Sequence, residues 1–203
     1  MMTDRKERSK STFNRQADTY DGDIYGQHAR TLYPVLLRKL AHIPFQRALD
    51  LGCGTGEMMK MLLQSDDQRE LYGIDLSEKM LSVAESKLSG KVQLVLGDSE
   101  HLPFADNFFD VVYCNDSFHH YPAPEKVIRE VKRVLKPGGT FLIGDCWQPW
   151  IGRAIMNFYM RHSREGDVKI YSKEEMISLL SKCFHDISWE QAGHTACVSM
   201  GIK

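Results

Sequence analysis

The sequence predicts a doubly wound α/β protein with a mostly parallel sheet of seven strands and an antiparallel strand at its C-terminus. Three observations lead there. Short apolar runs alternate with stretches of helical periodicity, which calls for right-handed βαβ crossovers and a sheet covered on both faces. A glycine cluster follows the first apolar run, at residues 52–56. Near the end, Ala196, Val198, Met200 and Ile202 alternate with a period of two, as suits a strand returning along the sheet.

The elements follow in order. Residues 13–40 carry scattered apolar side chains (Phe13, Ala17, Tyr20, Leu32, Leu36, Leu40 among them), consistent with helices broken near Gly22 and Pro34. Residues 47–51 form the first strand, and Met58, Met59, Met61 and Leu62 mark a helix over 56–64. The unit then repeats: a strand over 71–75 ends in a carboxylate, and Ser77 caps a helix carrying Met80, Leu81, Ala84 and Leu88. Strands follow over 92–96 and 110–114. Pro124 opens a helix whose Val127, Ile128, Val131, Val134 and Leu135 make an apolar stripe, and Lys136-Pro137-Gly138-Gly139 ends it. A fifth strand spans 140–145. Ser172 and Glu175 form a capping box that starts a further helix, with a strand over 184–190 and a turn at Gly193 behind it.

At 203 residues the chain is read as one domain, 1–203, with an N-terminal helical cap over 1–40. The connection over 147–171 is long for its place and rich in aromatic residues and methionine. A lid over an apolar acceptor is the favoured reading of it, beside a dimer contact or a satellite core. The composition, 42% apolar and 26% charged, is that of an ordinary globular protein. Lys and Arg number 26 against 27 Asp and Glu, so a net charge of −1 lacks the basic footprint of a protein that grips nucleic acid. No apolar run approaches the ~20 residues needed to span a bilayer, so no stable membrane insertion is expected. The charged residues 1–10 lack the apolar core of a secretory signal. Five widely spaced cysteines without a C-x-x-C pair argue against zinc or dithiol chemistry, so no metal is expected and a reducing cytoplasm fits best. Asn115-Asp116-Ser117 matches a glycosylation site by chance in that setting.

In open α/β sheets ligands bind beyond the carboxyl ends of the strands, where the winding reverses. The turn there reads Asp50-Leu51-Gly52-Cys53-Gly54-Thr55-Gly56-Glu57. A dinucleotide fingerprint would need glycine at Glu57 or Met59, and no Gly-Lys-Ser/Thr completes a phosphate loop, which leaves a nicotinamide oxidoreductase a poor third reading. Asp50 and Glu57 repel a pyrophosphate but suit an ammonium or sulfonium charge, and the glycines let backbone approach the ligand closely. Asp75 ends the second strand, where a carboxylate accepts from ribose hydroxyls, and Asp98 is placed to accept from an adenine amino group. Together they describe a nucleoside with an amino-acid tail.

The stretches D-L-G-C-G-T-G-E, G-I-D-L-S, G-D-S-E-H-L-P-F and R-V-L-K-P-G-G resemble the class I S-adenosylmethionine-dependent methyltransferases over residues 13–145. Within that superfamily the sequence is similar to the methyltransferase type 11 group, which includes quinone-biosynthesis enzymes. Residues 13–21 also look like that group's F-x-x-x-A-x-x-Y-D segment. The resemblance implies the Rossmann-like methyltransferase fold, S-adenosylmethionine as cofactor and S-adenosylhomocysteine as product. It implies that Asp50, Gly52, Cys53, Gly54 and Gly56 line the methionine part, that Asp75 and Leu76 hold the ribose and flank adenine, and that Asp98 and Ser99 meet the adenine edge. Asn115 would lie beside the sulfonium and Tyr20 would close over the site.

Methyl transfer from a sulfonium is an in-line displacement, so the protein mainly aligns nucleophile, methyl and sulfur. A base is needed only where the nucleophile carries a proton, and His119 and His120, just past the fourth strand, are the candidates. Against that stands a bland reading in which one caps the loop and the other faces water. Cys53 reads as a packing residue. Asn115-Asp116-Ser117-Phe118 lacks the two prolines that amino-methylating nucleic-acid enzymes carry there, which again favours a small-molecule acceptor. The alternative function is a module that binds the cofactor or its product without turnover. Acceptor, accepting atom and oligomeric state are not written in the sequence.

Overall fold

The computed structural model describes residues 2–160, 163 and 166–203. Seven strands form one sheet: β1 (Arg47–Leu51), β2 (Glu70–Asp75), β3 (Gln93–Leu96), β4 (Phe109–Asn115), β5 (Leu135–Cys146), β6 (His185–Ala192) and β7 (Ala196–Ile202). Their order across the sheet is β3-β2-β1-β4-β5-β7-β6. The first five strands pair in parallel, and β7 runs antiparallel to both β5 and β6. Winding reverses between β1 and β4, so the ends of these strands, at Leu51 and Asn115, frame the crevice.

Among the described residues seven α-helices surround the sheet: α1 (Met2–Gln16), α2 (Gln27–Leu40), α3 (Glu57–Ser65), α4 (Glu78–Leu88), α5 (Pro124–Val134), α6 (Trp150–Met160) and α7 (Lys173–Leu180). Successive strand residues feed opposite faces, as the pleat requires. Leu49, Val112 and Phe141 pack with Val127, Ile128 and Val131 of α5 and Leu180 of α7. Ala48, Val111 and Leu142 pack with Leu36 and Leu40 of α2, Met59 and Leu62 of α3, and Ala84 and Leu88 of α4. The expected caps are present. Ser77 Oγ accepts from the Met80 N–H, and Ser172 and Glu175 close a reciprocal capping box at α7.

Two sequence expectations need correction, and a third is met. Pro34 sits inside α2 and not at a break. Its missing N–H costs one helical bond, and the burial of Leu32, Tyr33, Leu36 and Leu40 holds the helix together regardless. The break expected near Gly22 is present: α1 takes in the charged start and stops at Gln16, and residues 17–26 form turns and bends. Asp23 Oδ1 accepts from the Tyr25 and Gly26 N–H groups, the local bonding that lets aspartate replace helix with turn. Finally, β5 begins at Leu135, before the Pro-Gly-Gly run. Its register against β4 jumps between Phe109↔Leu135 and Val111↔Thr140, so residues 136–139 bulge out with Gly138 at φ 76°.

Among the described residues no helix is long and apolar enough to cross a membrane.

Candidate functional site

The glycine turn between β1 and α3 lies at the mouth of the crevice. Gly52, Gly54 and Gly56 all have positive φ, a conformation that side chains resist. Their surroundings differ. A Cβ on Gly54 would meet nothing within 4 Å, so that backbone is bare to a ligand. A Cβ on Gly56 would meet Leu88 Cδ1 at 2.7 Å and Ala84 Cβ at 3.1 Å, so Gly56 serves the close packing of the turn on α4.

The turn is tied to neighbouring strand ends. Asp75 Oδ2 accepts from the Gly54 N–H at 2.8 Å and Oδ1 from the Ser77 N–H at 2.8 Å. Ser117 Oγ donates to the Leu51 carbonyl at 2.9 Å and touches the Tyr121 hydroxyl at 2.9 Å. Thr55 Oγ1 donates to Asp21 Oδ1 at 2.5 Å, and Lys87 bridges Asp21 and Glu57.

Of these residues Gly54, Thr55, Glu57, Asp75, Ser77, Ser117 and Tyr121 wall a pocket of about 990 Å3, measured out to its open mouth. The pocket brings together Tyr20, Asp50, Gly52, Cys53, Gly54, Asp75, Leu76, Asp98, Ser99, Asn115 and His120. Gly56 and His119 lie outside the wall, as do the described residues of 147–171. His119 turns its Nδ1 to Asp145 Oδ1 at 2.5 Å. Burial alone would lower its imidazole, but the facing Cys146 and Asp145 raise it well above the ordinary histidine value. His120 packs edge-on against Phe13 with ring centroids 5.2 Å apart, and its Nδ1 lies 3.1 Å from Asp167 Oδ1. The 147–171 segment thus reaches the site at one remove, through Asp167.

The charges are uneven. Asp50 is 2% exposed, and burial with Asp75 alongside pushes its carboxyl up to about 8. Burial also raises the Asp75 carboxyl, opposed by its backbone N–H partners. The Cys53 thiol is pushed well above its ordinary value by burial and by Asp75 and Asp50, which leaves it an inert packing group.

Several wall residues escaped the sequence reading. Asp116 stands in the wall at φ 55°, with its Oδ1 2.7 Å from His28 Nδ1. Burial would raise this carboxyl, but His28, His119 and His120 hold it below the usual range. Lys6 of α1 reaches Asp98 Oδ2 at 2.6 Å and Glu100 Oε1 at 2.8 Å. Phe13 and Tyr20 add an aromatic edge, their ring centroids 6.1 Å apart. The only hint in the sequence was local, since Asp116 directly follows the strand-end Asn115.

A family described as a methyltransferase domain matches residues 49–143. The demethylmenaquinone methyltransferase of Bacillus cereus (strain ATCC 10987 / NRS 248) is 30% identical in an alignment covering 100% of this chain and 85% of that protein. The chain belongs to the class I S-adenosylmethionine-dependent methyltransferases. The demethylmenaquinone methyltransferase of Geobacillus kaustophilus (strain HTA426) is 35% identical over 153 residues, which span 72% of this methyltransferase and 62% of that one. Among solved structures, the YcgJ protein of Bacillus subtilis superposes with a TM-score of 0.70 at 24% identity, covering 87% of this chain and 99% of that one. The Haemonchus contortus phosphoethanolamine N-methyltransferase 2 in complex with S-adenosyl-L-methionine gives 0.73 at 18%, covering 92% and 59%. The cyclase SpnF gives 0.72 at 20%, covering 90% and 83%. At these identities the structural likeness speaks for the fold alone.

Proposed function

We propose that this methyltransferase moves a methyl group from S-adenosylmethionine to a small, partly apolar acceptor of the quinone type, the class its relatives' names state. The observation that carries the reading is the pocket wall. Three carboxylates, Asp50, Asp75 and Asp98, ring a glycine turn whose Gly54 backbone is bare, at the reversal of a doubly wound sheet.

The residues present fit the cofactor. Asp50 is a buried carboxyl in the wall, which a cationic amino-acid tail would complement. Asp75 spends one bond per oxygen on backbone N–H groups, and each oxygen keeps a lone pair for a ribose hydroxyl. Asn115 Oδ1 is buried without a hydrogen-bond partner among the described residues, in a side chain of the pocket wall, and would lie beside the sulfonium. Gly52, Cys53 and Gly54 would line the methionine part. Leu76 would flank adenine, Asp98 and Ser99 would meet its edge, and Tyr20 would close the site. When bound, the cofactor supplies an activated methyl group for in-line displacement.

The chain's own work is alignment and exclusion of water, worth about 7–11 kcal/mol in well-oriented systems. Phe13 and Tyr20 offer an aromatic edge to the acceptor. Where the acceptor carries a proton, His120 takes it: its ring lines the pocket, and Asp167 at Nδ1 leaves Nε2 for the transfer. His119, held on Asp145 outside the wall, positions the turn.

Incubation with methyl-labelled cofactor and demethylmenaquinone should label the quinone. Cofactor bound with no label passed to this or any acceptor in a mixed metabolite pool would mark a binding module instead. The ribose assignment stands separately. Asp75→Ala should abolish detectable cofactor binding in calorimetry, and unchanged affinity would refute it.

His120→Ala should lower kcat by about 10²–10⁴-fold. His119→Ala should chiefly lower thermal stability, read from the melting curve.

A further inference from the structure

Two imidazoles and a carboxylate converge at the edge of the pocket. One ligand atom each of His119, His120 and Asp167 lies within 4.8 Å of the other two. Asp167 Oδ1 stands 3.1 Å from His120 Nδ1 and 3.8 Å from His119 Nε2, and the three side chains are only 17, 10 and 12% exposed. His120 Nδ1 is nevertheless buried without a hydrogen-bond partner among the described residues, so its approach to Asp167 lacks the direction of a hydrogen bond. Atoms so placed are spaced as neighbours around one ion. At zinc bond lengths of about 2.0–2.2 Å, tetrahedral neighbours lie about 3.3 Å apart.

The chain fixes all three side chains. Asp145 Oδ1 meets His119 Nδ1 at 2.5 Å and accepts from the Cys146 N–H at 2.8 Å, which turns His119 Nε2 toward Asp167. A carboxylate on one imidazole nitrogen is what orients the other nitrogen for a metal. Asp167 Oδ2 accepts from the Ser163 hydroxyl at 2.6 Å, and the Asp167 carbonyl accepts from Arg5 Nη1 at 2.7 Å, which leaves Oδ1 to the imidazoles. The Val168 and Lys169 N–H groups donate to the His119 carbonyl and tie the two segments together.

The donor set chooses the ion. Two nitrogens and one oxygen suit a transition ion, whereas Mg2+ and Ca2+ take oxygen ligands. With neutral imidazoles the carboxylates of Asp145 and Asp167 present two negative charges, which a divalent ion balances. His119 also clusters with Asp145 and Cys146, but there Asp145 Oδ1 is already taken up by His119 and the Cys146 N–H.

We propose that His119 Nε2, His120 Nδ1 and Asp167 Oδ1 bind one divalent transition ion of the Zn2+ class. Three protein ligands leave it an open coordination position. An ion on Nδ1 confines the His120 proton to Nε2 and withdraws the ring from the proton transfer assigned to it above. That consequence rests on the assignment, and the site rests on geometry alone.

The test titrates Zn2+ in calorimetry into the full chain, freed of metal by a chelator and without cofactor or acceptor. One equivalent should bind. Asp145→Asn should weaken binding by about 10–100-fold, and His120→Ala and Asp167→Asn should each abolish it while keeping the wild-type circular dichroism spectrum. Co2+ in place of Zn2+ should give visible bands without the near-ultraviolet band of a thiolate ligand. No binding, binding that survives Asp167→Asn, or a thiolate band that marks Cys146 as a ligand overturns the site. Methyl transfer to an acceptor that carries a proton should slow as Zn2+ fills the site. Full occupancy with undiminished transfer overturns the withdrawal of His120 and leaves the site standing.

Discussion

Asp50 sets burial against charge within the pocket, and the conflict has a sign. Its carboxyl titrates near 8 in the folded protein and near 3.9 in an unfolded chain. Between those values the folded state holds a proton that the unfolded state has released, so Asp50 makes the free protein less stable as pH rises from about 4 to 8. Asp50→Asn should therefore raise the melting temperature of the free protein at pH 8 relative to wild type. A cationic ligand favours the ionised carboxyl, so cofactor affinity should strengthen as pH rises toward 8, and the variant should bind at least about tenfold more weakly with a flat pH profile in calorimetry. Asp50, Asp75 and Asp98 were legible because each ends or follows a strand in a local pattern. The His28–Asp116 and Lys6–Asp98 contacts were not, because they join residues 88 and 92 positions apart and only the folded chain brings them together. Asp167 was hidden for the same reason, within a connection whose composition suggested only apolar work.

At the scale of elements, two glycines of one turn differ in surroundings, Gly56 packed against α4 and Gly54 bare in the pocket wall. Gly54→Ala meets no atom and bears only the left-handed backbone penalty, about 1–2 kcal/mol. Gly56→Ala adds a clash with Leu88 and Ala84 and should cost about 2–4 kcal/mol. Chemical denaturation should rank them in that order, while cofactor affinity measured under folding conditions should suffer more from Gly54→Ala. Apart from the start of β5, strand positions were readable within a residue or two, because β1 and β4 are nearly continuous apolar runs buried on both faces. Pro34 misled because a proline signal is local, whereas α2 is held by what it buries. The outward face of α6, where Trp150, Ile151 and Phe158 are exposed, was equally hidden, since periodicity reveals that a helix has an apolar side and not which way that side turns.

For the whole molecule, stability should grade from the sheet outward. Amide exchange should be slowest in β1, β4 and β5, which the two apolar layers cover, and fastest in α6, which buries no residue fully. Cofactor addition should slow exchange in α1, whose Lys6, Ser9, Lys10 and Phe13 stand in the pocket wall. Unchanged α1 exchange at saturating cofactor would argue that the N-terminal helix takes no part in the site.

The grip of Lys6 on Asp98 and Glu100 also bears on the rate of complex formation. A nucleoside that claims the Asp98 carboxylate must wait for the ammonium to leave, and α1 with it. In stopped-flow mixing the observed association rate should then level off at high cofactor concentration, the plateau being the frequency with which α1 lets go. Lys6→Met should lift that ceiling and restore a linear, diffusion-governed dependence.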